Sequence, residues 1–302
     1  MSLCINPDCS QPQNTDNQIF CSTCGSEILL EGRYRVTRPL GAGGFGKTFE
    51  VLDRNIPKVL KVLINNDAKY VELFQREAQV LSRLNHPGIP KVDPDGYFTV
   101  FPRQSSEPLY CIVMEKIEGM NLEEYLQQRD NRPINQRLAL DWLKKITEIL
   151  DTVHSQNFFH RDIKPSNIML KPDGVLVLID FGTAREATGT YLAKMAENER
   201  LTLVQSLGYS PIEQLHGYPV FQSDFFALGC TFIYLLTGQH PFSLYDLDGD
   251  GYVWRDRASH ISPLILDRID HLTTRRYKDR PPNTQAILAK LQEIELILYP
   301  PK

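Results

Sequence analysis

Two short polar segments in the second half of this chain most strongly constrain its fold and its chemistry. The first reads HRDIKPSN at positions 160–167, and the second reads DFG at 180–182, directly after the strand-like run 175–179. Phosphoryl transfer needs a carboxylate near the accepting hydroxyl, cations near the phosphates and oxygen ligands for Mg²⁺. Asp162, Asn167 and Asp180 supply oxygens, and Lys164 supplies charge. Because a chance match to both segments at this spacing is improbable, the pair predicts a phosphoryl-transfer site.

A glycine-rich segment near the start of the chain adds a phosphate-binding element. It reads GAGGFG at 41–46, and Gly41, Gly43 and Gly46 give the spacing G-x-G-x-x-G. Glycine allows backbone N–H groups to approach phosphate oxygens closely. Dinucleotide sites use a similar spacing, but they have a helix after the glycines. Residues 47–51 have a strand pattern, which favours a β-hairpin flap.

Lys61 lies among apolar residues in the strand-like run 59–64. A buried ammonium group needs a partner because an unpaired one is costly. Glu77, in a segment of helical spacing over 68–84, is a candidate partner. The alternative is that Lys61 reaches solvent at a strand edge and that Glu77 is solvated; the pair alone does not decide between them.

Taken together, these motifs resemble those of eukaryotic-type (Hanks-type) serine/threonine protein kinases over residues 34–298. The resemblance implies an α+β, bilobal fold with a small β-rich lobe, a larger helical lobe, and ATP and Mg²⁺ between them. It also implies transfer of the γ-phosphoryl group of ATP to Ser or Thr of protein substrates. Lys164 and Ser206 favour Ser/Thr over Tyr specificity. Residues 138–154, 224–237 and 284–298 have the patterns of helices in the larger lobe.

The resemblance assigns expected roles to individual residues. Asp162 is the expected catalytic base, and Lys164 is expected to neutralise the transferred phosphate. Asn167 and Asp180 are the expected Mg²⁺ ligands.

The nucleotide is expected to meet residues of the β-rich lobe. Lys61, held by Glu77, is expected to contact the α- and β-phosphates. The hinge that meets adenine is expected at 114–117. The full set of expected nucleotide-binding residues is Gly41, Gly43, Gly46, Thr48, Val59, Lys61, Glu115, Ile117 and Met169.

The chain departs from the family pattern at a few positions. Thr48 and Val59 stand where Val and Ala are usual, and PIE at 211–213 replaces Ala-Pro-Glu. Glu213 is kept, and Arg280 resembles the arginine that pairs with it. Asp224 begins a segment that resembles the helix bracing the catalytic loop. Because no catalytic position is lost, an active enzyme is favoured over the alternative, a catalytically silent kinase-fold scaffold that signals by binding.

Residues 1–30 contain Cys4, Cys9, Cys21 and Cys24 and few apolar residues. Two close cysteine pairs suit a tetrahedral zinc site, so we expect a zinc-ribbon-like module stabilised by structural Zn²⁺. Redox-active thiols and a disordered segment are the alternatives. The layout resembles bacterial kinases, notably cyanobacterial ones, with a short cysteine motif before the kinase domain. Two further cysteines are expected in the core, Cys111 and Cys230.

Composition limits which partners and which cellular location are expected for this chain. The chain has 302 residues and a net charge of -4, which does not favour nucleic acid as a partner. No apolar run approaches the roughly 18 to 20 residues of a membrane span, and residues 1–9 lack a signal-peptide core. A cytosolic enzyme acting on ATP and proteins is therefore expected.

Regulation is expected through the segment between Asp180 and Glu213. Arg161 precedes the catalytic Asp162, and an arginine there often captures a phosphate on this segment. Autophosphorylation is therefore expected at one or more of Thr188, Thr190 and Thr202. His154 is expected to be an ordinary polar position.

Overall fold

The computed structural model describes residues 1–42, 46–103, 105–181, 185–186, 208–246 and 251–301. The chain divides into two units. The first comprises Met1–Asn85 and Pro90–Ile117, and the second comprises His86–Ile89 and Glu118–Lys302. Strands and helices are numbered below in chain order.

A six-stranded antiparallel sheet forms the centre of the first unit. Its spatial order is β3 (Leu29–Leu30), β4 (Tyr34–Ala42), β5 (Gly46–Asp53), β6 (Ile56–Leu63), β8 (Leu109–Glu115) and β7 (Val92–Val100). Phe49 and Val51 alternate with more exposed neighbours along β5, as expected for a strand with one buried face. They join Val36, Leu60 and Val113 in one core. The β-rich lobe predicted from the sequence is thereby confirmed.

The helix α1 (Ala68–Arg83) belongs to the same unit and follows the predicted helical spacing. The Asp67 side chain caps its N-terminus by accepting a hydrogen bond from the backbone N–H of Lys69 at 2.9 Å. Phe74 and Ala78 pack in one cluster with residues of β6 and β8. Glu77 lies on this buried face, which matters for the site described below.

The cysteine segment packs on the same sheet. Two short strands, β1 (Ser2–Leu3) and β2 (Gln13–Asn14), pair with each other. Ile5 and Leu30 belong to the same core cluster as Val36. Arg35 of β4 donates hydrogen bonds to the Ser2 hydroxyl and to the Gln18 carbonyl, each at 2.9 Å. The division into domains 1–30 and 34–298 stays a prediction, and residues 1–30 share apolar core with the sheet.

The second unit is mainly helical. Its described helices are α2 (Leu122–Gln127), α3 (Gln136–Ser155), α4 (Ile212–Leu215), α5 (Phe221–Thr237), α6 (Pro263–Leu272) and α7 (Thr284–Leu298). Short strands accompany them: β9 (Met120–Asn121), β10 (Phe158–Phe159), β11 (Ile168–Leu170), β12 (Leu176–Leu178), β13 (Arg185–Glu186), β14 (Tyr245–Asp246) and β15 (Gly251–Tyr252). In the sheet β12-β11-β9, β11 directly follows the catalytic loop (160–167), and β12 shortly precedes Asp180.

Helix α5 is the most buried element of the second unit. Every residue from Ser223 to Thr237 is buried, which agrees with a sequence that is apolar on all sides. The helix ends at Gly238, whose φ of 69° places it in the left-handed region. A Cβ there would lie 2.2 Å from the Asn131 carbonyl oxygen, so the position requires glycine. Within the described ranges, no helix combines the length and apolar character that crossing a membrane requires.

Candidate active site

Lys61 and Glu77 form an ion pair in the first unit. The Lys61 Nζ atom on β6 lies 2.7 Å from the Glu77 Oε1 atom on α1. The Glu77 side chain is 3% exposed, and a buried carboxylate requires a charged or hydrogen-bonding partner. The paired arrangement, rather than the solvated alternative, is therefore confirmed. The pair fixes the position of the Lys61 ammonium group on the sheet.

The glycine-rich hairpin is built from β4 and β5. Gly41 and Thr48 are cross-strand partners, and a Cβ at Gly41 would meet no atom within 4 Å. A Cβ at Gly46 would lie 2.2 Å from the Val62 carbonyl oxygen on β6. Gly46 is thus needed for close strand contact, whereas Gly41 has free space above it. Gly43 lies outside the described residues.

The other expected nucleotide contacts in this unit lie along β6 and β8. Val59 is the cross-strand partner of Met114, and both are half-buried. The backbone N–H of Glu115 donates to the Lys91 carbonyl at 2.8 Å. Ile117, also half-buried, follows two residues later. Their roles toward a nucleotide stay predictions.

The catalytic loop places three predicted residues in direct contact in the second unit. The Lys164 Nζ atom lies 2.9 Å from the Asp162 Oδ2 atom. The Asn167 Nδ2 atom donates to both the Asp162 carbonyl and its Oδ2 atom, each at 2.8 Å. Asn167 is 7% exposed, and its Oδ1 atom has no donor among the described residues. Oδ1 is therefore available as an oxygen ligand.

Asp180 follows β12, and its neighbour Ile179 is hydrogen-bonded to this loop. The Ile179 N–H donates to the Asn167 carbonyl at 2.9 Å. Asp180 is exposed and has a φ of 65°, an uncommon backbone conformation for a residue with a side chain. A carboxylate and an amide oxygen suit a hard cation such as Mg²⁺, so the donor set fits the predicted ion. Gly182 lies outside the described residues. Met169 lies on β11 between Asn121 and Val177, its cross-strand partners.

His160 is fully buried and connects the loop with β12. Its Nε2 atom donates to the Ile179 carbonyl at 3.1 Å, which fixes the tautomer. Burial lowers the pKa of His160, so the imidazole is neutral at physiological pH. Its Nδ1 atom accepts a hydrogen bond from the Asp162 N–H at 3.3 Å. This arrangement positions the backbone of Asp162.

A buried carboxylate from α5 holds the start of the loop. Asp224 accepts hydrogen bonds from the backbone N–H groups of His160 and Arg161, at 2.8 and 2.7 Å. Arg161 has a φ of 70°, and this pair of hydrogen bonds stabilises that conformation. Burial raises the pKa of Asp224, but the hydrogen bond with His154 and the nearby donors lower it overall. The carboxylate is therefore ionised and braces the loop, as the resemblance predicts.

His154 contacts the carboxylate that holds the catalytic loop, a contact that sequence reasoning missed. Its Nε2 atom lies 2.8 Å from the Asp224 Oδ2 atom, and its side chain is 10% exposed. The expectation of an ordinary polar position is therefore wrong. Its burial could have been predicted from the sequence, because His154 lies four residues after Leu150 and therefore on the apolar face of α3.

Glu213 and Arg280 form the buried ion pair that the resemblance predicts. Arg280 Nη1 lies 2.6 Å from Glu213 Oε1, and Nη2 lies 3.2 Å from Oε2. The Ser223 hydroxyl also donates to Glu213 Oε1, at 2.8 Å. This bidentate pair ties α4 to the segment before α7, and the Ser223 hydrogen bond ties α4 to α5.

The four N-terminal cysteines converge on one point. Their sulfur atoms all lie within 4.8 Å of one another, and none is in a disulfide. The Sγ atoms of Cys4 and Cys24 are 3.6 Å apart, and those of Cys9 and Cys21 are 3.7 Å apart. Tetrahedral coordination with Zn–S bonds of about 2.3 Å requires sulfur separations of roughly 3.8 Å, so the cluster fits Zn²⁺.

The surroundings of the thiols also suit a metal. Asn14 Nδ2 lies 3.5 Å from Cys21 Sγ, and Ser26 Oγ lies 3.3 Å from Cys24 Sγ. Burial raises the pKa of the Cys24 thiol, but hydrogen bonds with the Ser26 hydroxyl and N–H lower it overall to about 6. At Cys24 these donors stabilise the thiolate, which is the metal-binding form, whereas burial raises the pKa of the Cys4 and Cys9 thiols in the absence of a metal.

The sequence profile described as "Protein kinase domain" matches residues 34–292. The chain belongs to the protein kinase family. Among its relatives, serine/threonine-protein kinase PknA of Nostoc sp. is 36% identical over 289 residues, covering 91% of this chain and 49% of the relative. Serine/threonine-protein kinase B of Synechocystis sp. is 37% identical over 256 residues, covering 80% of this chain and 43% of the relative.

A third relative, serine/threonine-protein kinase F of Synechocystis sp., is 32% identical over 321 residues, covering 96% of this chain and 63% of the relative. This kinase spans about half the length of the first two relatives. The resemblance to cyanobacterial serine/threonine kinases is thereby confirmed. Several sequence predictions for this kinase concern residues outside the described ranges, namely Ser206, Thr188, Thr190 and Thr202.

Proposed function

We propose that this kinase transfers the γ-phosphoryl group of ATP to Ser and Thr hydroxyls of proteins, and that it phosphorylates itself. The contact set of Asp162, Lys164 and Asn167 carries the proposal. It combines a carboxylate for the accepting hydroxyl, a cation for the transferred group and an amide oxygen for a metal ion. Family membership supports the same activity.

In the proposed reaction, Asp162 accepts a hydrogen bond from the substrate hydroxyl and orients its oxygen toward the γ-phosphorus. The bond between that oxygen and phosphorus forms as the bond to the β,γ-bridging oxygen breaks, and ADP leaves. The hydroxyl proton passes to Asp162. Lys164 neutralises charge on the transferred group, as its position beside Asp162 allows.

The remaining site residues bind the nucleotide and metal. Lys61, oriented by Glu77, contacts the α- and β-phosphates. Asn167 and Asp180 would hold Mg²⁺, which supplies positive charge to the phosphates. The proposed nucleotide contacts outside these groups are Gly41, Gly43, Gly46, Thr48, Val59, Glu115, Ile117 and Met169.

Transfer of radiolabelled phosphate from ATP tests the activity. Wild type is expected to label itself and a generic protein substrate, whereas Asp162→Asn and Asp180→Ala reduce kcat by orders of magnitude. Asp173→Asn is the matched control, because Asp173 is exposed in a turn of the same unit. Near-normal transfer by Asp180→Ala would show that the assigned roles are wrong, and inactivity of well-folded wild type would favour a silent scaffold.

We propose that the cysteine cluster holds one structural Zn²⁺ ion through Cys4, Cys9, Cys21 and Cys24. The sulfur separations and the hydrogen bonds to the thiols support a bound metal. We further propose a cytosolic location, because the sulfur geometry fits metal binding and clustered cysteines have that role in a reducing compartment.

We also propose autophosphorylation at Thr188, Thr190 or Thr202, with Arg161 as a partner for the phosphate. Arg161 supports this because its backbone is fixed directly before Asp162 by the Asp224 carboxylate. Mass spectrometry of active enzyme tests the proposal. An unmodified segment in a fully active preparation contradicts it.

A further inference from the structure

The catalytic loop has a second point of support besides Asp224, and it comes from α4. The Gln214 Nε2 atom donates a hydrogen bond to the Arg161 carbonyl oxygen, with the two atoms 2.7 Å apart. A carbonyl oxygen only accepts, so this contact fixes which end of the Gln214 amide faces the loop. The same nitrogen lies 3.4 Å from the Ser210 hydroxyl oxygen. The half-buried Gln214 side chain thus bridges α4 and the residue before the proposed catalytic base.

The peptide group between Arg161 and Asp162 is held at both of its polar atoms. Its carbonyl accepts from Gln214, and its N–H donates to the His160 Nδ1 atom at 3.3 Å. Because a peptide group is planar, fixing both atoms sets the direction in which the chain enters Asp162. The hydrogen bond with His160 is the longer of the two, so Gln214 supplies the tighter constraint.

Arg161 has a backbone conformation that needs such support. Its φ of 70° lies in the left-handed region, which is uncommon for a residue with a side chain. Asp224 holds the N–H of Arg161 and Gln214 holds its carbonyl, so two different elements fix the residue. Arg161 is 8% exposed, and a buried carbonyl that loses its donor is costly. Removal of the Gln214 donor should therefore favour a rotation of this peptide group, which also turns Asp162.

The turn that carries Gln214 is itself firmly held. Glu213, the preceding residue, accepts hydrogen bonds from Arg280 and from the Ser223 hydroxyl. The Glu213 carbonyl also accepts from the Tyr218 N–H at 2.8 Å, which fixes the chain after α4. Gln214 therefore approaches the loop from an anchored turn, and a side chain supported in this way can hold a neighbouring group precisely.

We infer that Gln214 is a positioning residue for the transfer step, and that its hydrogen bond to the Arg161 carbonyl holds Asp162 in the orientation that accepts the substrate proton. Gln214 acts through the backbone of the loop. The inference rests on the proposed kinase activity and adds a residue to it. A purely structural role would lower stability without a selective effect on kcat, whereas a displaced catalytic base lowers kcat and leaves the KM for ATP unchanged.

Gln214→Glu tests the hydrogen bond itself, because the two side chains have nearly the same shape. The introduced carboxyl group donates to the Arg161 carbonyl when it is protonated, and it repels that oxygen when it is ionised. At about pH 8, kcat is expected to be roughly tenfold or more below wild type, since small displacements of a catalytic group are costly. As the pH falls toward about 5.5, the ratio of variant to wild-type kcat should rise severalfold, because burial and the facing carbonyl favour the protonated form.

The assay measures transfer of radiolabelled phosphate from ATP to dephosphorylated casein across this pH range, with kcat and the KM for ATP determined separately. The ratio to wild type at each pH removes the titration of groups that both proteins share, among them His154, Asp162 and Asp224. Gln292→Glu adds the same charge at an exposed position on α7 and is the matched control. It should match wild type at every pH.

Gln214→Met is a second variant, which keeps the length of the side chain and cannot donate at any pH. Its kcat should be roughly tenfold or more below wild type throughout the range, with a melting temperature that shows it to be folded. If Gln214→Glu does not fold, Gln214→Met alone decides.

The outcomes separate the inference from the proposed function. Wild-type kcat in either folded variant overturns the inference and leaves the proposed function intact. So does a loss that appears in the KM for ATP, or a Gln214→Glu ratio that does not change with pH. Absence of transfer by folded wild type contradicts the proposed function itself, and the inference falls with it.

Discussion

The Ser26 hydroxyl accepts a hydrogen bond from the backbone N–H of Arg103, with the two atoms 2.9 Å apart. The same hydroxyl lies 3.3 Å from the Cys24 sulfur. One side chain thus joins a proposed zinc ligand to the segment that follows β7. Loss of the metal should therefore affect the sheet as well as residues 1–30.

Removal of zinc is expected to weaken the whole first unit. Cys21→Ser and Cys24→Ser should lose zinc, and the melting temperature should fall by roughly 5 °C or more, because Ile5 and Leu30 share the core of the sheet. Metal analysis and calorimetry with and without a chelator measure both effects. Ser10→Ala, an exposed position in the same segment, is the control. Metal-free wild type with four freely titratable thiols, prepared under reducing conditions, would contradict the zinc assignment.

The two described glycines of the hairpin should respond differently to an added methyl group. Gly46→Ala is expected to reduce the free energy of unfolding by roughly 1 to 3 kcal/mol, because its Cβ would lie 2.2 Å from a backbone oxygen. Gly41→Ala meets no atom within 4 Å and should leave the free energy of unfolding nearly unchanged. Urea titration of both variants measures this. If both variants lose the same free energy of unfolding, β5 and β6 move apart to make room for the methyl group at position 46.

Breaking the Glu213–Arg280 pair is expected to be costly. Arg280→Met leaves the Glu213 carboxylate, 8% exposed, without its main partner and should cost roughly 3 to 5 kcal/mol of unfolding free energy. Adding Glu213→Gln should recover part of that loss, because the remaining group is neutral. Denaturant titration of both single variants and the double variant gives the coupling energy. If the losses of the two single variants add up to the loss of the double variant, the ion pair contributes little to the free energy of unfolding.

Asp53 is expected to make stability depend on pH in the acidic range. Hydrogen bonds from Arg33, at 2.7 Å, lower the pKa of Asp53 to about 2. Because the folded pKa lies below the unfolded value of about 3.9, the stabilisation is present above about pH 4 and is lost as the pH falls toward about 2.

Asp53→Asn should therefore cost about 2 kcal/mol at pH 7, and the difference from wild type should shrink as the pH falls below 4. Unfolding free energies of both proteins between pH 3 and pH 7 measure it. A difference that is independent of pH would mean that the Arg33–Asp53 contact acts through packing alone.

Local patterns predict local structure in this chain. The helix expected at 284–298 is α7, Thr284–Leu298, and the helix expected at 68–84 is α1, which ends at Arg83. Both follow from apolar spacing, which is contained within each segment. The buried positions of Cys111 and Cys230 also agree with their apolar surroundings. The contacts within 160–167 were also predictable, because the residues that make them are close together in the sequence.

Contacts between distant segments were harder to predict. His154 meets a carboxylate 70 residues later, so its role is set by the packing of α3 on α5. Glu123 faces a pocket whose other walls come from the catalytic loop and from residues near 209 and 240. The packing of Ile5 against the sheet depends on the path of a segment with few apolar residues. None of these contacts produces a periodic pattern in the neighbouring sequence.

The dependence of the catalytic loop on Asp224 has a consequence for biosynthesis. The donors to this carboxylate, the N–H groups of His160 and Arg161, precede it by 64 and 63 residues. The ribosome therefore releases the loop well before it makes the group that holds the left-handed turn at Arg161. A nascent chain lacks a correctly shaped loop until α5 has emerged and folded. Phosphoryl transfer should thus be absent until α5 has been made and has folded.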